Sequence, residues 1–423
     1  MPKDAQQTPR GTQDILPPES SRWIEVVRTF AERARRFCYD LVVTPVFEHL
    51  EVFNRLGEST DVLTKEMYEF TDRGNRRLAL RPEGTAPVVR AYVQHKKHGP
   101  WKVWYLAPLF RYERSQKGRY RQHWQLGVEV LGLDDPDVDV EVIAFGHGLL
   151  RDLGVLRSTT LLLNSMGDRE SRARYIDVLR QYLLEHGSDL DEELRDRAKT
   201  NPLRVLDSKE AAWQEVVERA PQLTEYLSDA SRVHFEQVQR GLDALEIHYE
   251  LAPRLVRGFD YYTSTTFEFV SAALDAAQNA VLGGGRYDNL TEEMGGQATA
   301  GIGFGMGIER LLIAADELGA LPHAEPHPDV YVIDELAGGR EALTLTQELR
   351  EAGLSVERSY GNRSASAQRK AAERERPSFV VLLAAEQFGR GEVVVRRPPA
   401  REGIAVPRDH LSGWLREHCE FER

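Results

Sequence analysis

The sequence predicts an α+β chain in which β-rich segments flank a helical stretch and a compact α/β unit closes the chain. Three observations carry that expectation. Period-two alternation marks the strands within 109–133, and strand texture returns over 255–270. A charged, helix-forming run with almost no β-branched stretches fills about 169–250. A linker rich in Pro and His at 321–329 precedes alternating β and α texture. At 423 residues the chain exceeds one ordinary core. Hydrophobic content of 41% with 29% charged residues fits a globular protein, so a fibrous or disordered class is excluded. A net charge of -12 argues against indiscriminate nucleic-acid binding and still permits a local basic site. The two cysteines, Cys38 and Cys419, exclude a Cys-rich zinc site and argue against a disulfide framework. No apolar run approaches the roughly 18 residues that span a bilayer, and the first residues lack the apolar core of a signal peptide. The expectation is a reduced, cytoplasmic protein with no membrane association.

In order along the chain, a polar arm ends in Leu16-Pro17-Pro18. Trp23, Val26, Val27, Phe30, Ala34 and Phe37 then recur at helical spacing, with Ser21 placed to cap the helix. The run LVVTPVFE is β-rich but carries Pro45, which has no donor for a central ladder, so it reads as an edge strand or strand end. Such an edge is either a subunit contact or covered by a loop. Asp72-Arg73-Gly74-Asn75 is a turn between two short strand-like runs. Arg81-Pro82-Glu83-Gly84-Thr85 closes a strand and opens a helix that Thr85 suits as a cap. Glu83 there either satisfies backbone donors or has a function.

The segment LFRYERSQKGRYRQHWQLGVEVLGL, 109–133, reads as an antiparallel hairpin with a ten-residue connection. Alternation puts Gln125, Gly127 and Glu129 on one face and Leu126, Val128 and Val130 on the other. Arg111 and Glu113 share a face opposite Phe110 and Tyr112. From Arg111 to Arg121 the basic residues Arg111, Arg114, Lys117, Arg119 and Arg121 face a single Glu113, a concentration that suits a polyanion. A solvated sheet face and loop is the plainer reading.

Later come Gly283-Gly284-Gly285-Arg286-Tyr287-Asp288 and the alternating glycines 301, 303, 305 and 307. Those glycines sit late in the chain, in a strand that leads into a helix, so close backbone packing explains them better than dinucleotide binding. Ile308, Leu311, Leu312 and Ala315 give the helix a buried face. Arg310 falls in its first turn, where a cation is disfavoured, and asks for an anionic partner. Beyond the linker, DVYVID, a helix over 340–352, LSVERSY, a helix near 368–375, SFVVLLAA and GEVVVRR make an α/β domain of about 95 residues with a mixed sheet. Arg363, Arg369, Lys370, Arg374 and Arg376 make part of it basic, which is ordinarily a solvated helix face.

These pieces resemble histidyl-tRNA synthetases of the bacterial type, a class II aminoacyl-tRNA synthetase family. RGTQDILP, LRPEGTAPVVRA, the RSQKGRYRQ loop, QLGVEVLG, LVRGFDYYT, GGGRYD and GIGFGMGIERL carry the resemblance over nearly the whole chain. It implies a class II antiparallel six-stranded sheet flanked by helices, a helical insertion at about 169–250, and a C-terminal α/β anticodon-binding domain. The catalytic domain would span 1–326 and the anticodon-binding domain 327–423. It also implies a homodimer whose interface includes the helix and strand ending at Pro45.

The activity implied is ligation of L-histidine to tRNA(His) through a histidyl-adenylate, with ATP as substrate and Mg²⁺ as cofactor. By resemblance Arg111 and Arg257 are the catalytic pair on either side of the α-phosphate, and both also belong to the histidine site. Glu113 contacts the adenine end, and Arg310 holds the γ-phosphate. Glu83, Thr85 and Gln125 surround the substrate amino group. Glu129 and Tyr262 take the imidazole, with Tyr261 beside them. Arg114, Gln116, Lys117 and Arg119 form the loop that meets the tRNA acceptor stem. One departure stands out: His123-Trp124 replaces the family's usual Phe-His. Alternation points Trp124 to the far face, so His123 is expected to stack on adenine. The rival reading is a non-catalytic, histidine-binding regulatory subunit of synthetase ancestry. It would lack the final domain and parts of the ATP and histidine signatures.

Overall fold

The computed structural model describes residues 6–55, 65–113, 118–186, 192–206, 211–256, 261–275, 279–321, 327–336, 339–361, 363–400 and 402–419. The chain divides into two compact units, Met1–His323 and Ala324–Arg423.

The 41–48 run does not form one strand. It yields β1 (Asp40–Leu41) at the edge of a large sheet and β2 (Phe47–His49) in a small one, with Pro45 between them. A residue with no backbone donor is where the chain can leave one ladder and join another. Buried Arg81 holds the crossing: Nη1 donates to Thr44 O, Thr44 Oγ1 and Pro45 O, and Nε donates to Pro108 O. The small sheet is completed by β3 (Tyr68–Thr71) and β4 (Arg77–Leu80). Their turn is fixed by the Asp72 carboxylate, which accepts from Gly74 N and Arg76 N.

The large sheet has eight strands. Its centre is six antiparallel strands in the order β5 (Trp101–Phe110), β6 (Gln122–Leu131), β11 (Gly301–Gly307), β10 (Ala280–Arg286), β9 (Thr263–Ser271), β7 (Thr159–Ser165). β1 and β8 (Glu250–Leu251) add parallel edges. β6 is therefore interior, and its two faces meet different surroundings. Leu126, Val128 and Val130 pack with Phe267, Phe269 and Phe304 into the main core. That core is closed by α1 (Glu19–Arg36), through Val26, Phe30 and Ala34, and by the helix Pro136–Asp152, through Ile143, Phe145 and Leu149. The opposite face of β6 is left for the site.

Several local expectations change. Ser21 lies inside α1, which is preceded by Pro18 and has no side-chain cap; acidic Glu19 in its first turn complements the helix dipole instead. The β5–β6 connection covers residues 111–121, one longer than the ten expected, because the ladder already ends at the Phe110–Gln122 pair. Strand texture over 255–270 becomes a strand only at Thr263–Ser271, and the preceding Tyr261 and Tyr262 are buried.

The insertion is an α-helical module. Arg169–His186, Glu192–Thr200, Pro202–Val205 and Ala211–Glu218 are its helices, with a separate core that includes Tyr175, Leu179, Leu183, Leu203 and Leu223. Its entry and exit are tied together. The Asp168 carboxylate accepts from Ser171 N, Ser171 Oγ and Ser228 Oγ at 2.8, 2.7 and 2.5 Å, and Asp168 N donates to Ser231 Oγ. The next helix, Asp229–Ala244, belongs to the main core through Phe235, Val238 and Leu242, so helical texture running to residue 250 overstates the module.

A buried ion pair pins that last helix. Arg286 Nη2 lies 2.5 Å from Asp139 Oδ1, and the other Asp139 oxygen is 2.8 Å from His234 Nε2. Burial would push the Asp139 carboxyl up, but His234 and Arg286 outweigh it and hold the group below its usual range.

The second unit carries a five-stranded mixed sheet in the order Val356–Arg358, Val330–Asp334, Phe379–Leu383, Glu392–Arg396, Ile404–Pro407, the first three parallel. Helices Arg340–Glu351 and Ala365–Glu375 match the sequence expectation, while Ile404–Pro407 and the helix Leu411–His418 add to it. In the basic run, Arg369 pairs with Glu335 and Arg374 with Glu375, as on a solvated helix face.

Candidate active site

The polar face of β6 presents Gln125 and Glu129 side by side because alternate residues of a strand share a face. Side chains that lie flat against a neighbouring strand need that strand to lack Cβ atoms, and β11 supplies the gaps. A Cβ at Gly303 would sit 1.9 Å from Glu129 Oε2, and one at Gly305 would sit 2.5 Å from Gln125 Nε2. The alternating glycines thus make room for two named site residues.

Glu129 is fully buried, and each carboxylate oxygen has one donor. Thr85 Oγ1 donates to Oε1 at 2.7 Å, and Tyr287 OH donates to Oε2 at 2.5 Å. Burial pushes the carboxyl up to about 8 against those two hydrogen bonds, since neither donor carries a charge. Glu83 is also buried and accepts from Thr85 N and Ala86 N, both at 2.7 Å. Glu83, not Thr85, therefore caps the helix Thr85–Gln94, which frees the Thr85 hydroxyl for Glu129. Burial raises Glu83 to about 7. Tyr105 OH donates to Gln125 Oε1 at 2.9 Å. The Tyr261 and Tyr262 rings lie 4.7 Å apart, and Tyr261 meets Tyr287 edge-on at 6.0 Å. The result is a buried polar cluster in which two carboxyl groups, pushed up to about 7 and about 8, lie among tyrosines. It suits a ligand that brings N–H donors or a proton of its own.

Next to it is a cleft lined by Arg111, Glu113, Arg119, His123, Gln125, Glu268, Glu309 and Arg310. Arg111 Nε donates to Pro82 O at 2.8 Å. Arg310 Nε donates to Gly118 O at 3.2 Å and Nη1 to Ala280 O at 3.3 Å. Glu113 lies 3.2 Å from Arg119 and 4.0 Å from Arg111. Burial, helped by the charges of Arg111 and Arg310, pushes the His123 imidazole down to about 3, so its ring is a flat neutral surface among cations. Trp124 turns the other way and meets Trp23 edge-on at 5.4 Å. Its backbone N–H donates to the Glu309 carboxylate at 2.9 Å. Three guanidinium groups converge on the cleft and suit a polyphosphate; of the three carboxyl groups there, burial raises Glu309 to about 7.

The structure thus groups Glu83, Thr85, Glu129, Tyr261 and Tyr262 as buried neighbours and Arg111, Glu113, Arg119, His123, Gln125 and Arg310 on the cleft. Arg257, Arg114, Gln116 and Lys117 lie outside the described residues. Arg121, counted with the basic loop from sequence, lies over the Tyr112 ring at 4.0 Å, because the chain turns back into β6 there. Tyr105, Tyr287, Glu268 and Glu309 also belong to the site and escape sequence reasoning. Tyr287 had a signal, its place in the GGGRYD run, and Glu309 adjoins Arg310.

A family model described as histidyl-tRNA synthetase matches residues 11–311. The chain belongs to the histidyl-tRNA synthetase family. A second model, an anticodon binding domain, matches residues 330–418. The chain is 45% identical over 404 residues to the histidine--tRNA ligase of Halothermothrix orenii, covering 94% of this chain and 96% of that one. It is 46% identical over 411 residues to the Thermosynechococcus vestitus enzyme of the same name, covering 96% and 95%. Among solved structures it resembles apo S. aureus histidyl-tRNA synthetase, with a TM-score of 0.82, 33% identity, and 97% and 100% of the two chains covered. A protein titled ATP phosphoribosyltransferase regulatory subunit/histidyl-tRNA synthetase, from Bacillus halodurans, shares the fold at a TM-score of 0.63 and 22% identity, covering 86% and 96%. The C-terminal match favours the synthetase reading over the regulatory one.

Proposed function

We infer that this chain is a class II aminoacyl-tRNA ligase that joins L-histidine to tRNA(His) in two steps. The histidine carboxylate attacks the α-phosphorus of ATP and pyrophosphate leaves. A hydroxyl at the tRNA 3′ end then attacks the carbonyl, and AMP leaves. The observation that carries this reading is the adjacency of a cleft bearing Arg111, Arg119 and Arg310 and a buried cluster of Glu83, Glu129 and tyrosines, with Gln125 on the cleft and hydrogen-bonded to Tyr105. Polyphosphate belongs in the first and an imidazole in the second.

Positioning and charge neutralisation supply most of the catalysis of such a displacement. Arg111 and Arg257 take opposite sides of the α-phosphate, and Arg310 takes the γ-phosphate. Glu113 receives the adenine edge and His123 the adenine face. Glu83, Thr85 and Gln125 hold the substrate amino group, and Glu129 with Tyr262 takes the imidazole, beside Tyr261. A buried Glu129 with no imidazole partner is a costly group, which disfavours apolar amino acids.

Mg²⁺ fits this donor set as an ion that arrives with the nucleotide. Glu268 offers a hard oxygen on the cleft, and no cluster of three metal-ligating side chains occurs among the described residues. Bound there, it would screen phosphate charge.

Residues 1–326 form the catalytic part and 327–423 the anticodon-binding part. Arg114, Gln116, Lys117 and Arg119 face the acceptor stem. A homodimer is supported by exposed Leu41, Val43 and Phe47 around Pro45, beside a cavity of about 640 Å³. No helix among the described residues is long and apolar enough to cross a membrane, and cytoplasmic residence fits the substrates.

ATP–pyrophosphate exchange with each of the twenty amino acids tests the reading. Exchange with histidine alone is expected. Tight histidine binding without exchange would leave the regulatory subunit as the better account.

A further inference from the structure

The N-terminal RGTQD run has no part in the chemistry above, and Arg121 has lost its place among the tRNA-facing cations. The two meet. Thr12 N and Oγ1 both donate to Pro9 O, which folds residues 9–12 into a turn that aims the Gly11 carbonyl inward. Gly11 O accepts from Arg121 N at 2.8 Å and from Gln122 N at 3.4 Å, where the 111–121 connection re-enters β6. The fit leaves no room for a side chain. Gly11 has φ +84, and a Cβ there would lie 2.7 Å from Arg121 Cγ.

Arg121 in turn touches each of the three residues that lead into the cleft. Its carbonyl accepts from Arg111 N at 2.9 Å. Its guanidinium lies 4.0 Å from the Tyr112 ring centroid. Its Nε donates to Glu113 O at 3.4 Å. Tyr112 is held from the other side as well, where its N–H donates to Glu66 O at 2.6 Å.

We propose that Arg121, seated by Gly11 of the N-terminal turn, is a positioning residue for the nucleotide side of the site, clamping 111–113 so that Arg111 and Glu113 face the cleft. The inference rests on the adenylating role given to that cleft. It differs from a tRNA-binding role for Arg121, because a positioning residue acts before tRNA is present.

Arg121→Met and Gly11→Ala, in the full chain, separate the possibilities. Both are expected to weaken ATP about tenfold in tRNA-free exchange and in equilibrium ATP binding, with a smaller rise in histidine KM because Arg111 also belongs to the histidine site. Arg121→Lys should recover only part of the loss, since an ammonium lacks the planar fork. The salt dependence of tRNA KM should keep its slope. The proposal is overturned if ATP binding is unchanged while that slope falls by about one unit, the mark of a lost phosphate contact. It is equally overturned if histidine weakens as much as ATP or more. Should Arg121→Met fail to fold, Gly11→Ala and Arg121→Lys carry the same split. Absence of histidine-dependent exchange in the unaltered protein would sink the functional reading, and the ATP binding ratio would still decide this inference.

Discussion

Tyr287→Phe deletes one oxygen and keeps the ring. That oxygen is one of two donors to a carboxylate that is fully buried, at 2.5 Å, and the other is Thr85. A hydrogen bond to a charged group contributes about 2 kcal/mol, so histidine affinity should fall roughly 30-fold while ATP affinity is unchanged. The pH dependence carries more information. Glu129 is held up to about 8 by burial, and free imidazole titrates near about 6.5. Between those values one proton is available, on Glu129 before binding and shared with the imidazole afterwards, so histidine KM should be flat. Below the window an extra proton must leave, and above it one must be taken up; affinity falls on both sides. Tyr287 lowers the Glu129 value by favouring its charged form, so its loss should move the alkaline limb upward as the plateau drops. Glu83, raised to about 7 close by, makes each limb a property of the pair. Histidine KM from pyrophosphate exchange between about pH 5.5 and 9.5 measures both effects. An unchanged plateau, or an alkaline limb that moves down, would refute the assignment.

Asp139→Asn should destabilise the protein by about 3–5 kcal/mol in urea unfolding, because it strips a buried Arg286 of its main partner. Asp139 is held below the usual carboxylate range, so its contribution should be present at neutral pH and decline as acid titrates the folded group. A cost under about 1 kcal/mol would contradict this. Gly303→Ala places a methyl 1.9 Å from Glu129 Oε2 and 2.3 Å from the Val128 carbonyl, so histidine affinity should fall at least about 100-fold with ATP affinity nearly preserved. Equal losses for both ligands would show that the glycine serves the sheet and not the pocket. Arg257→Ala should slow single-turnover adenylation by about 10³-fold with a smaller change in histidine affinity, and a matching fall in affinity would remove its transition-state role.

Strand alternation was enough to assign the faces of β6, since Leu126, Val128 and Val130 go to the core and Glu129 to the pocket, as period two requires. The reading of the late glycines as close packing holds for a reason that became visible only with the β6–β11 register. Tyr105 and Tyr287 show the limit. Each reaches its partner across strand pairings or from a loop distant in sequence, and no local pattern reports such a pairing. Thr85 and Arg121 show a different one. Residue type announces a cap and a phosphate ligand, but Glu83 already serves the backbone donors and Tyr112 already covers the guanidinium. Side chains with two plausible employers are settled by whichever competitor stands nearer.

The knot of hydrogen bonds at Asp168 makes the inserted helices a pendant on a closed ring. Closing a loop of about sixty residues costs about 4 kcal/mol in chain entropy, and lengthening it by half adds only a few tenths. Asp168, Ser171, Ser228 and Ser231 hold the two ends of that stalk together, and Met166 and Gly167 tie its base to Ser264 of β9. The module beyond them is free to change in size and sequence while β7 and the helix Asp229–Ala244 stay where the catalytic core needs them. Length variation among relatives should therefore concentrate beyond Ser171 and before Ser228, and the four stalk residues mark where one such module can be exchanged for another.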